Sequence, residues 1–159
     1  MNDDVQASIT RQMAELTRVV DVPVAPFVYG RDLSCVTDLS PTLAEVDSNS
    51  PQAIVEAVTR RYITPRGGLA DDAAYGLDVR AHLNRGHTPR DLRALSGAMQ
   101  GEAQKDDRVS EASVQLEAAV NSSEMLAHVV IVPADPALND FDFTFAVTSG
   151  DVLTVTINA

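Results

Sequence analysis

From Val109 onward the apolar residues recur at every second position, whereas before it they recur every three or four. That change of period constrains the fold more than any other feature. A period of two places side chains on alternate faces of a pleated strand, and a period near 3.6 places them along one side of a helix. In "SEASVQLEA" Ala112, Val114, Leu116 and Ala118 share one face, and Glu111, Ser113, Gln115 and Glu117 share the other. "LAHVVIVPAD" is apolar on both faces and reads as a covered, central strand. "FDFTFAVT" turns Phe141, Phe143, Phe145 and Val147 inward, each Phe worth about 1.5–3 kcal/mol of transfer free energy. Ser149-Gly150-Asp151 supplies a tight turn, and "VLTVTINA" resumes the alternation with Leu153, Val155 and Ile157. The expected class is α+β: N-terminal helices followed by a three- to four-stranded antiparallel β-meander.

The helical part has three sections. Residues 1–22 form an amphipathic helix after "NDD", with Val5, Ile9, Met13, Leu16 and Val19 on one side. Residues 23–49 open with "VPVAPFVYG", whose prolines impose an extended, stiff connector, and contain "LSCVT" (33–37) as a short strand or turn. A terminal helix behind such a joint is readily offered to a partner, although packing on its own core is the simpler alternative. The domain of residues 50–159 then starts with a helix capped by Ser50 and led by Pro51, burying Ile54, Val55, Val58 and Tyr62. Arg60 and Arg61 sit in its last turn, where they complement the helix dipole. "AAYGLDVRAHL" reads as a short helix or a pair of turns. A second long helix follows Thr88-Pro89, with Asp91 near its start and Leu92, Leu95 and Met99 inward.

Charge narrows the partners. The net charge is −11, and all twelve Lys and Arg residues lie at or before Arg108. From Val109 onward there are seven acidic residues and no Lys or Arg. Nucleic acid is therefore excluded as an expected partner, and a basic protein surface is favoured. No apolar run reaches the length of a membrane span. Cys35 is the only cysteine, which leaves no internal disulfide and reads as a buried, inert thiol.

No residue pattern specifies chemistry. Carboxylate pairs for glycoside hydrolysis can be drawn from Asp71, Asp72, Asp78, Glu102 and Asp106, but none lies in an apolar sequence setting, so a solvated face is expected. His82 and His87 are five apart across a glycine, which is not the i, i+4 pairing of a metalloprotease helix, and His128 reads as a core or boundary residue of a strand. "TPRGGL" lacks the Gly-Lys-Ser/Thr of a phosphate loop. Neither a metal nor a cofactor is implied.

The segment "YITPRGGL" (62–69), followed by "DDAAYGLD" (71–78), resembles the baseplate wedge protein W family of contractile-tailed phages, also described as gene-product-twenty-five-like. The likeness is clearest over residues 50–120 and covers the C-terminal sheet in pattern only. The family's Glu-Pro-Arg signature before the first meander strand reads Asp106-Asp107-Arg108 here: Arg108 matches, Asp106 keeps a shorter carboxylate, and Asp107 replaces the proline.

The resemblance implies a fold like the C-terminal domain of the tail sheath protein and a structural role in the inner baseplate of a virion tail, assembled in the host cytoplasm. Its expected partners are two copies of a larger wedge protein, the tail sheath protein, and hub or spike proteins. Ile9 and Leu16 then belong to an intermolecular helical bundle. Leu153, Val155 and Ile157 belong to a sheet completed by a foreign strand. Arg66, Asp106 and Arg108 are the polar partner-binding candidates, with Gly67, Gly68 and Gly76 shaping the loop. Family members also carry the label lysozyme-like, which implies a peptidoglycan hydrolase as the alternative, with Glu102 or Asp72 as the acid. The equivalent adaptor of a non-viral contractile injection machine is the other alternative.

Overall fold

The computed structural model describes residues 29–35, 41–118, 124–148 and 153–158. The helix expected over residues 1–22, with Ile9 and Leu16, and the turn expected at Ser149-Gly150-Asp151 lie outside them. Over the described residues the chain is α+β, with two helices and two antiparallel sheets. A two-stranded ribbon pairs β1 (Arg31–Leu33) with β2 (Glu45–Asp47), Asp32 opposite Val46. Helix α1 (Pro51–Ile63), a 3-10 turn (Val79–His82) and helix α2 (Pro89–Ala103) follow. Strands β3 (Val109–Ala118), β4 (Glu124–Pro133), β5 (Phe141–Thr148) and β6 (Leu153–Asn158) then form a meander in the order β3-β4-β5-β6.

Both helices begin as their sequences direct. The Ser50 hydroxyl accepts a hydrogen bond from the Ala53 N–H at 3.2 Å, with Pro51 in the first turn, where a missing N–H costs nothing. Thr88 and Asp91 form a reciprocal capping box at the start of α2. Ile54, Val55, Val58 and Tyr62 are all buried, and so is every other residue from Ala53 to Thr59. Glu56 is inside because the chain just beyond β1 closes over it. Ser34 Oγ and the Cys35 N–H both donate to Glu56, and Arg60 donates to the Cys35 carbonyl at 2.7 Å. Cys35 is thus half-buried rather than buried, the ribbon being too narrow to enclose it. The ribbon's polar contacts cross the boundary drawn at residue 50.

The sheet buries one face. Phe141, Phe143, Phe145 and Val147 alternate inward, and the Tyr62 ring meets Phe145 edge-on at 5.6 Å. Strand β4 lies between β3 and β5, but the expectation that both its faces are covered is corrected. Met125, Ala127, Val129 and Ile131 are buried, whereas Leu126 is 38% exposed and Val130 and Val132 are half-buried. The described helices pack on the side of the buried residues, and the second face is partly open to solvent, as antiparallel sheets allow. The inward expectation also weakens at β6: Val155 packs half-buried against the core, and Ile157 is 37% exposed. Helix α2 lies over β3 and α1 over β5, so the apolar cover thins towards β6. Leu153 pairs with Val147. Leu92, placed inward from sequence, is half-buried, whereas Leu95 and Met99 are buried.

Gly97 and Gly101 stand exposed within α2, and a Cβ at either would meet nothing within 4 Å. Glycine inside a helix carries an entropic cost without a packing return here. Gly97→Ala and Gly101→Ala should each stabilise the chain by about 0.5–1 kcal/mol, seen as a higher urea midpoint at unchanged m-value.

Candidate functional site

Helix α1 ends at Ile63 because Thr64 precedes Pro65, and a residue before proline is driven to extended backbone; Thr64 has φ −84° and ψ 126°. Its last carbonyls must then find donors. The segment of residues 64–80 supplies them. The Leu77 N–H donates to Arg61 O at 3.0 Å, the Asp78 N–H to Thr64 O at 3.1 Å, and Arg80 Nη2 to Ile63 O at 2.9 Å. Gly76 makes this return possible, since its φ is +92° and any Cβ would strike the Thr64 carbonyl. Gly67 also has positive φ, at +78°, in the turn closed by the Gly68 N–H to Pro65 O. Residues 65–74 protrude into solvent.

Beneath the loop lies Glu102, only 1% exposed. Its carboxylate accepts from Lys105 Nζ at 2.7 Å, the Gly76 N–H at 2.9 Å, Arg66 Nη2 at 3.0 Å and Arg61 Nη1 at 3.4 Å. The expectation of a solvated face is therefore corrected for Glu102. It follows Leu95 and Met99 on the inner side of α2, by seven and three residues, and three cations compensate its desolvation. Burial alone would push its carboxyl up, but the bonds from Lys105 and Gly76 and the charges of Lys105 and Arg66 outweigh this and hold it below the usual range. Arg66 also donates to Gly76 O at 3.1 Å, Lys105 to Ala74 O at 3.0 Å, and Arg61 stacks on Tyr75 at 4.4 Å. The opening of the loop is thus clamped to both helices.

A second polar centre joins α2 to β3. Arg108 grips Asp106 through two parallel bonds of 2.8 and 2.7 Å and donates a third to Ser48 O at 2.7 Å, tying the ribbon to the sheet. Both side chains are nearly enclosed, at 12% and 10% exposure. Asp106 is thus a further correction to the solvated-face expectation, since the ribbon closes over it. Burial raises the Asp106 carboxyl, and the Arg108 bonds and charge reverse this and leave it lowered. Asn49 donates to Asp135 at 2.6 Å beside it.

Of the partner-binding candidates, Arg66, Asp106 and Arg108 all make contacts within the fold, and the structure does not bring Arg66 and Arg108 into one site. Val155 and Ile157 lie on β6. Asp71 and Asp72 are exposed, and Asp72 Oδ1 accepts the Ala74 N–H in a local turn. His87 bonds the His82 carbonyl, and burial, followed by the charges of Arg85 and His87, lowers the His82 pKa. His128, read as a core or boundary residue, stands exposed on the sheet's other face, 3.7 Å from Asp142, where no described helix covers it. Among the described residues, no cluster of His, Cys, Asp or Glu is grouped as a metal site, and no helix is long and apolar enough to cross a membrane. Sequence reading missed Glu56 and the burial of Glu102. The usable signal for Glu102 was its spacing from Leu95 and Met99, with Lys105 three residues on.

A lowered folded-state pKa means that Glu102 contributes stability above its unfolded value of 4.5, and that this is lost as pH falls through the folded value. Glu102→Gln should cost about 2 kcal/mol at pH 7, less than a fully buried pair because Arg66 and Lys105 are half-exposed. Urea melts from pH 7 to pH 3 should show the deficit shrinking below pH 4.5.

In comparisons with known proteins, no family model matches the chain, and no curated protein matches it in sequence.

Proposed function

We propose that this chain is a structural component of the inner baseplate wedge of a contractile tail, located in the virion, whose sheet is completed by a strand from a neighbouring protein. The observation that carries this reading is the outer edge of β6. This strand pairs with β5 in unbroken register from Leu153↔Val147 to Asn158↔Asp142, and no described strand lies on its other side. Soluble proteins blunt such edges with lysine, proline, inward charges or bulges. "LTVTIN" has none of these. The opposite edge, β3, has a register irregularity between Val109 and Glu111, exposed Glu111 and Glu117, and α2 packed against it. Among the described residues one edge is protected and the other is not, which favours strand addition at β6.

In this reading the meander resembles the C-terminal domain of the tail sheath protein, and β6, with Leu153, Val155 and Ile157, accepts a strand from the first sheath ring. Ile9 and Leu16 of residues 1–22 join two copies of a larger wedge protein in a helical bundle, near the hub and spike. Asp106 and Arg108 act by fixing the turn and the ribbon. Arg66, 56% exposed, has donors left for a partner's carbonyls after its internal bonds. Neither acid named for the lysozyme-like alternative has the apolar setting a glycosidase acid needs: Glu102 is bonded to three cations and the Gly76 N–H, and Asp72 is exposed in a local turn.

Co-expression with the sheath and wedge proteins encoded beside it should yield a co-purifying complex. Ile157→Lys should weaken sheath capture by about tenfold, near 1.4 kcal/mol, while the chain still unfolds cooperatively at a modestly lower melting temperature. Undiminished capture by this variant, or clearing of peptidoglycan by the pure chain, overturns the reading.

A further inference from the structure

Within this acidic chain, residues 79–93 are basic: Arg80, Arg85, Arg90 and Arg93 stand against Asp91 alone, a local charge of +3 with His82 and His87 neutral. Arg80 is used internally, on Ile63 O and Asp78. Asp91 is turned back onto Thr88, accepting from its N–H at 2.9 Å and its hydroxyl at 2.7 Å. Arg85, Arg90 and Arg93 are exposed and make no hydrogen bond or ion pair with any described residue. The His87–His82 bond closes the turn that carries Arg85 and sets it beside the start of α2.

Local physics disfavours this arrangement. Arg90 and Arg93 lie three apart on one side of a helix, where like charges repel. Both are in its first two turns, near the positive end of the dipole, where cations are unfavourable. Neither has a carboxylate three or four residues away, and the intervening Asp91 is engaged with Thr88. Along the same exposed side run Ala94, Gly97, Ala98 and Gly101, leaving a smooth track on which another backbone can approach closely. Three guanidiniums placed against local preference beside that track make no hydrogen bond or ion pair with the described fold.

We infer that the exposed side of α2, with Arg85, Arg90 and Arg93 at its head, docks an acidic helical segment of a partner protein. Guanidiniums grip carboxylates in a forked, directional way, and the small residues beyond let the helix axes close in. Nucleic acid fits poorly, since three free cations neutralise few phosphates and the remainder of the chain repels them. This surface is separate from β6 and does not depend on the strand-addition reading.

The test uses the full chain and fluorescence anisotropy with three probes: an alanine-rich helical peptide bearing one stripe of glutamates, its glutamine twin, and a single-stranded oligonucleotide. The glutamate peptide should bind, weaken as salt rises, and outbind its twin by at least about tenfold. Arg90→Gln with Arg93→Gln should lower its affinity by about tenfold while the thermal melt stays level or rises. Gly97→Gln with Gly101→Gln should weaken binding while stabilising the free chain, an opposition that a purely structural role would not produce. No binding at low salt, equal binding of the twin, preference for the oligonucleotide, or salt-sensitive self-association in sedimentation would each overturn the inference.

Discussion

A single buried carboxylate determines how the helical half of this molecule is put together. Glu102 belongs to α2, Arg61 to α1, and Arg66 and Gly76 to the loop between them, while Lys105 comes from the turn after α2. Isolated in an apolar interior the charge would be strongly unfavourable, and bonded to four donors it is held. Because those donors come from separate parts of the chain, satisfying the charge fixes the relative placement of all of them. The apolar stripe of α2 sets which side faces the sheet, but Leu95 and Met99 alone would tolerate some sliding along β3. Glu102 removes that freedom, since a displacement of one helical turn, about 5.4 Å, would break its bonds to α1 and the loop.

The same logic recurs at two smaller centres. Glu56 receives Ser34 and the Cys35 N–H on the far side of α1, and Asp106–Arg108 receives Ser48 through its carbonyl. Together they bind a ribbon that contributes few apolar side chains: Leu33 and Tyr29 are exposed, and Val46 is half-buried. With little hydrophobic burial available, hydrogen bonds to charged groups, worth about 1.5–3 kcal/mol each, carry its attachment. The apolar core and the polar centres therefore divide the work. Phe141, Phe143, Phe145 and Tyr62 join α1 to the sheet, and the carboxylates position what the core does not reach.

This division explains what the sequence could disclose. Periodicity reports burial of apolar groups, so α1, α2 and the alternating strands were legible from residues such as Ile54, Met99 and Phe143. Caps were legible because Ser50-Pro51 and Thr88-Pro89 act within a few residues. The polar centres were not, because each depends on a tertiary partner: Glu102 draws on Arg61, 41 residues away, and Ser48 on Arg108, 60 residues away. A glutamate with a lysine three residues later reads equally well as a solvated pair. One-sided cover of the sheet was hidden for a related reason. Val130 and Val132 are β-branched residues that suit a half-exposed pleat, so an apolar run did not imply two covered faces. The absence of lysine and proline from "LTVTIN" was legible, because such blunting devices are local in sequence.

The arginines sharpen the separation between holding the fold and meeting a partner. Arg60, Arg61, Arg80 and Arg108 all close carbonyls or carboxylates of their own chain, and the bonds of Arg60, Arg61 and Arg108 satisfy groups that folding has partly withdrawn from water. Arg85, Arg90 and Arg93 satisfy nothing in the described fold. A chain of net charge −11 would keep its solubility without them, so solubility does not account for their clustering. Their location adds a further constraint. They sit at the head of α2, over β3, at the edge of the meander opposite β6, so a partner held there and a strand added at β6 would not compete for the same surface. The clamp at Glu102 fixes α2 on the sheet that carries β6. Two such partners would thereby be held in a defined geometry relative to each other, which is the property an assembly adaptor requires.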